Sequence, residues 1–176
     1  MTTVAWDIID ATMDRLIELI EADMCDDLED EDDPLKLDTV EKYPLHEDPT
    51  TSSPFVVVAH DPDKGRVIDP VHEEDIGGGL RWWSYYWLYG WVPEHSEKHD
   101  CYASINKLRD RALRVILKHP NLDGLVAGNG ERLFGGTWNI IDRTWSRVFG
   151  GDGQWYGEFK VEFHLMSEES PDMRGL

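Results

Sequence analysis

The histidines and acids of this chain invite a search for metal chemistry first. His95-Ser96-Glu97-Lys98-His99 sets two imidazoles four positions apart, and Asp100 and Cys101 follow. On a helix the imidazoles would share a face, and with a thiolate they would suit zinc. The acid stands two places after the first histidine, not directly behind it as in a zinc-protease helix. The run reads instead as a polar loop leading into a helix. Asp61-Pro62-Asp63-Lys64-Gly65 has the acids of a calcium loop, but its glycine comes one place early. Position twelve of that loop is His72, which cannot be the bidentate carboxylate.

The other catalytic patterns are missing as well. No glycine-rich segment is followed by the Lys-Ser/Thr pair of a phosphate loop. Gly77-Gly78-Gly79 leads into a strand pattern, not a helix, so it is not a dinucleotide fingerprint. A nucleophile-elbow serine is also missing. Cys101 opens a helix, where a thiolate is favoured, but Asp100 and Glu97 oppose ionisation there. It reads as a small buried filler. The expectation is a protein without catalytic residues, metal or cofactor, and not an enzyme.

Aromatic residues are the remaining chemistry. Arg81 to Val92 reads Arg-Trp-Trp-Ser-Tyr-Tyr-Trp-Leu-Tyr-Gly-Trp-Val, bounded by the triple glycine and Pro93. This is strand composition. One face would carry Trp83, Tyr85, Trp87, Tyr89 and Trp91. The other would carry Trp82, Ser84, Tyr86, Leu88 and Val92. A strand bulky on both faces is expected at the centre of a sheet. Trp83, Trp87 and Trp91 are therefore placed in the core, beneath helices, with Phe159, Val161 and Phe163. On that basis Trp87→Ala should unfold the domain. Were the tryptophan face open instead, its rings would suit a carbohydrate.

The positioning elements follow from hydrophobic period. Trp6, Ile9, Met13, Leu16, Ile17, Ile20 and Met24 recur at helical spacing over residues 4–24. Asp7, Asp10, Asp14, Glu18 and Glu21 form an acidic stripe on the same helix. Residues 26–33 hold seven acids in eight positions, and Pro34 follows. Such a block self-repels, so residues 26–53 are expected to be a long, poorly packed and partly mobile surface excursion, cut first by trypsin at Lys36 or Lys42. Residues 55–59 are a β-branched run and read as a buried strand, with a short edge strand within 66–76. Residues 102–118 form a second helix, with Ile105, Leu108, Ala112, Val115 and Ile116 inward. Its basic stripe is Lys107, Arg111, Arg114 and Lys118. A short strand at 125–127 and a strand from Trp138 to Phe149 are expected next. Gly150-Gly151-Asp152-Gly153 is a hairpin turn. The returning strand runs from Trp155 to Met166, alternating strictly over 158–164, and the tail from Ser167 should fray. The order predicts a single α+β domain over 1–176: a mainly antiparallel sheet of four to five strands with two helices on one face.

Length and charge bound the function. The chain has 176 residues and a formal charge of −19. That opposes binding nucleic acid or an anionic membrane through bulk charge. No apolar run is long enough to span a membrane, and the first residues lack a signal-peptide pattern. Cys25 and Cys101 are the only cysteines, the usage of a reducing compartment. Residues 1–50 contribute 17 acids and 3 bases, so most of the excess negative charge sits in the first third.

The element order resembles the tail terminator, or tail completion, proteins of long-tailed bacteriophages. An amphipathic helix at 4–24 is followed by strands at 55–60 and 81–92, a helix at 102–118 and a closing hairpin at 150–153. The last strand, Tyr156 to Phe163, resembles the way such chains end. The resemblance implies a ring, usually a hexamer, in the virion neck, assembled in the host cytoplasm. Such a ring stops tail-tube growth and meets the tail tube protein on one side and a head-completion or connector protein on the other. DNA would cross its lumen without specific binding, and an acidic wall would let it slide. The family carries no diagnostic motif, and the acid run at 26–33 and the aromatic strand depart from it. Another neck, connector or minor tail protein is the neighbouring reading. A carbohydrate-binding module and an acidic mimic of nucleic acid are the readings from other classes. For a ring, the stripes Asp7, Asp10, Asp14, Glu18, Glu21 and Lys107, Arg111, Arg114, Lys118 are expected to point outward and meet across a head-to-tail subunit interface.

Overall fold

The structure is a computed structural model and describes residues 4–26, 33–37, 39–43, 53–61, 63–64, 67–70, 80–120, 122 and 140–169. Side chains of 4–8, 26, 67–70, 80–82, 140 and 166–169 lie outside that description. Helix α1 spans Val4–Glu21 and continues as a π-helical turn over Ala22–Asp26. Ile9, Met13, Leu16 and Ile20 are buried along one stripe, and the wider turn still buries Met24. Strands β1 (Val40–Lys42), β2 (Phe55–His60), β3 (Val67–Pro70) and β4 (Leu80–His95) follow. Helix α2 is Lys98–Lys118, and β5 (Ile140–Gly151) and β6 (Gln154–Glu169) close the described chain.

The fold is α+β. The sheet order is β1-β2-β4-β6-β5, with β3 pairing the start of β4 beside β2. Among the described strands β1 with β2 is the one parallel pair and the others are antiparallel. Both helices lie on one face. Their apolar stripes pack on Val56 and Val58 of β2, Tyr86, Leu88 and Val92 of β4, and Phe159, Val161, Phe163 and Leu165 of β6. In α2 the buried side chains are Cys101, Ile105, Leu108, Ala112, Val115 and Ile116, recurring at helical spacing. Gly90 makes this packing possible: a Cβ there would stand 2.0 Å from the Phe159 ring. At Gly157 a Cβ would meet Ile105 of α2 at 2.8 Å. The β5–β6 turn is Asp152-Gly153, with φ of 53° and 78°. Positive φ at both positions is the signature of the two-residue hairpin turn whose twist matches the strands.

Three expectations are corrected here. The first is the core. Phe159, Val161 and Phe163 are buried beneath the helices, but Trp83, Trp87 and Trp91 are half-buried on the opposite face. The reason is steric. Ser84, Leu88, Gly90 and Val92 stand with Tyr86 in the helix-facing row, and the small Ser84 and Gly90 leave depth for the helices and the Phe159 ring. The pairing register then places Glu158, Lys160 and Glu162 beside Trp91, Tyr89 and Trp87. Charged side chains in that row keep it away from the helices.

The second correction concerns 26–53. Leu35, Leu37 and Val40 are buried in the main core, and Leu37 N–H donates to the Met24 carbonyl at 3.2 Å. Residues 33–37 and 39–43 are therefore docked, and β1 belongs to the sheet. The acid block at 27–32 and residues 44–52 lie outside the described residues. So do the triple glycine, the expected strand at 125–127 and the turns at 128–136. The third correction is the tail: β6 keeps its pairing to Glu169 opposite Leu80. Residues 170–176 lie outside the described residues.

Candidate functional site: an aromatic cleft on the face turned away from the helices

Strand geometry puts alternate residues of β2, β4, β5 and β6 on the face opposite the helices. There they wall an open cleft of about 600 Å³, with Phe55, Trp87, Tyr89, Trp91 and Trp145 among its walls and Tyr43 at its rim. Tyr43 is 54% exposed, and its ring lies 5.6 Å from that of Trp87. Phe55 stacks on Trp91 at 6.4 Å and also touches Tyr89. Behind Trp91, Tyr156 and Phe149 continue the aromatic layer at 5.4 and 5.6 Å. At the other end of β4, the His164 ring sits between Trp83 and Tyr85, and its Nδ1 lies 2.8 Å from the Asp142 carboxylate.

Charged groups cross this aromatic floor in pairs. Glu158, only 6% exposed, accepts from Tyr89 Oη at 2.5 Å and from Arg147 Nε. Burial, and then the hydrogen bond to Glu158, push the Tyr89 phenol well above its usual value. Lys160 Nζ donates to Glu162 at 2.8 Å and lies 5.2 Å from the centre of the Trp87 ring. That hydrogen bond holds the Glu162 carboxyl below the usual carboxylate range. Lys64 reaches Glu162 at 3.7 Å and Asp61 at 3.9 Å. The Arg147 guanidinium sits 5.6 Å from the Trp145 ring. The cleft is thus an aromatic surface carrying a neutralised charge network.

The two helix stripes are partly spent within the chain. Lys42 of β1 bonds Asp10 at 2.7 Å and Asp14 at 2.6 Å. Burial works to lower the Lys42 ammonium, but these two carboxylates outweigh it and hold it above its usual value. Arg15 pairs with Glu18, and Glu21 accepts the Val40 N–H at 3.4 Å. Arg111 donates to Asp33, and Lys118 reaches Asp23 at 2.9 Å. The Arg111 hydrogen bond holds Asp33 below the usual range against its burial. Arg114 and Lys107 are exposed and form no ion pair among the described residues. The Asp7 side chain lies outside the description.

Of the two histidines in the run, His95 is held by its own surroundings and His99 is exposed on α2. His95 Nδ1 is 2.8 Å from the Pro93 carbonyl and Nε2 is 2.9 Å from Ser104 Oγ. Among the described residues no three potential metal ligands stand together, and no helix is long and apolar enough to cross a membrane. Burial pushes the Cys101 thiol up, against nucleophile chemistry. Sequence reasoning missed Tyr43, Trp145, Arg147, Lys160 and the buried Glu158 as site residues. Only the charged positions alternating with Phe159, Val161 and Phe163 hinted that this strand has one open face. Neither the scan of family models nor the search of curated proteins finds a match to the chain.

Proposed function

We propose that the chain is a structural subunit of the neck of a long-tailed bacteriophage, a tail terminator that assembles as a hexameric ring. The ring ends tail-tube growth and offers its far side to the head connector, and DNA crosses its lumen. The observation that carries this reading is electrical asymmetry across the sheet. Helix α1 lies over β1 and β2 at one edge, and helix α2 lies over β4, β6 and β5 at the other. Helix α1 exposes Asp14 and Glu18, and helix α2 exposes Lys98, Lys107, Arg114 and Lys118 beside Asp100 and Asp110. The exposed charges of α1 are thus acidic and those of α2 mainly basic, so one subunit presents two unlike helix surfaces. That is the requirement for a head-to-tail contact, which closes into a ring where the rotation permits.

Exposed charge pairs contribute about 0.2–1 kcal/mol each, so the sides set orientation and rate more than affinity. The order of elements supports the reading, and so does the charge of −19, which repels DNA phosphate from a lumen. Sedimentation velocity tests it. Six copies of the 20.3 kDa chain give a species of about 120 kDa. Lys107→Glu with Arg114→Glu should weaken that species and raised salt should weaken it further. A monomer at every concentration would overturn the reading, as would assembly indifferent to both charge and salt.

A further inference from the structure

We propose that the aromatic cleft binds a neutral oligosaccharide, with pyranose rings lying against Trp87 and Trp145 and hydroxyls bonded to Arg147 and Lys160. Nothing in this inference depends on the ring, because the cleft faces away from both helices. Its volume of about 600 Å³ falls within the size of small-ligand sites. The chemistry of the walls then narrows the class of ligand.

Charge excludes ions of either sign. Three cations, Lys64, Arg147 and Lys160, face three carboxylates, Asp61, Glu158 and Glu162, and each is paired. Glu158 holds Arg147 and Glu162 holds Lys160, and the whole chain at −19 repels an anion. A single-stranded nucleic acid, which would suit the rings, fails on the same ground. A ligand cation would be repelled by Lys160 and Arg147, which already stand beside the rings of Trp87 and Trp145.

Spare donors exclude a purely apolar ligand. Arg147 is 68% exposed and gives only its Nε–H to Glu158. Lys160 has three N–H donors and one carboxylate partner. Covering these groups with hydrocarbon would strip their water and return no acceptor. A pyranose matches both demands. Its C–H faces bury against rings, and its hydroxyls supply acceptors without adding charge.

The test is a tryptophan-fluorescence titration, checked by calorimetry, with cellohexaose, maltohexaose and chitohexaose as probes. The expected result is saturable binding of at least one probe, weakened about tenfold or more in Trp87→Ala while the variant remains cooperatively folded. Trp145→Ala, on the edge strand β5, should weaken the same probe and decides the matter should Trp87→Ala fold poorly. Tyr102→Ala, on the helix side, should bind as the wild type does. Absence of saturation by every probe up to ~10 mM overturns the proposal. So does binding that survives both tryptophan variants, and so does tighter binding of an acidic hexagalacturonate.

Discussion

Arg111 shows how one residue can be legible in type and misjudged in role. Its place in a basic stripe on α2 follows from spacing alone. Its partner, Asp33, lies 78 positions away, in a segment whose acids argue for a solvated excursion. No local pattern reveals that Leu35 and Leu37 anchor that segment in the core. Arg111→Ala should lower stability by about 1–3 kcal/mol at neutral pH, because it leaves a part-buried carboxylate without its main donor. The sign with pH is fixed by the lowered Asp33 pKa. The pair stabilises fully above the ordinary value of 3.8, and its contribution is lost as pH falls through the folded value. Urea unfolding at pH 6 and pH 3 checks this: the gap between wild type and Arg111→Ala should narrow at the lower pH. A charge reversal at Arg111 would damage folding before it reported on assembly, so Lys107 and Arg114 are the better probes of the outer surface. The tryptophans teach the same lesson. Phe159→Ala should cost about 3–5 kcal/mol, as a fully buried ring does. Trp87→Ala, on the half-open face, should cost about 1–2 kcal/mol. Equal losses in thermal unfolding would mean that the Trp87 face is buried after all.

The elements themselves were readable wherever period and punctuation agreed. The α1 stripe, the α2 stripe, the β-branched run of β2 and the Asp152-Gly153 turn all carry local signals and appear where expected, except that α2 begins at Lys98, four residues before the expected start at 102, and takes in His99 to Cys101. The face of β4 did not, because both of its rows are bulky and register is a property of the partner strands. Only the pairing Gly90↔Phe159 explains the choice: the glycine makes room for a ring that no other residue there would admit. Gly90→Val should therefore be strongly destabilising even though valine is the better strand former, and chemical denaturation will show it. β1 is too short to announce itself; Val40-Glu41-Lys42 joins the sheet because Val40 is buried and Lys42 is clamped by Asp10 and Asp14. Limited trypsin digestion of the native chain should consequently spare Lys42, which needs both a strand and two ion pairs undone. Early cleavage at Lys42 would show that β1 opens independently of the sheet.

At the scale of the whole molecule, two surfaces make separate claims. The acidic surface of α1 and the mainly basic surface of α2 are the ingredients of the proposed head-to-tail ring. The aromatic cleft between β2 and β5 is the proposed oligosaccharide site. Composition made the charge imbalance plain from the start. Its division across the sheet was not visible, because that depends on which helix covers which strands. The proposed terminator role meets its most direct measurement in electron microscopy of long-tailed phage tail tubes polymerised with and without the purified protein. The account predicts a ring capping one end of each tube, and tubes that stop growing once it is added. Bare tube ends and unchanged tube lengths, with the protein left free in the supernatant, would contradict it.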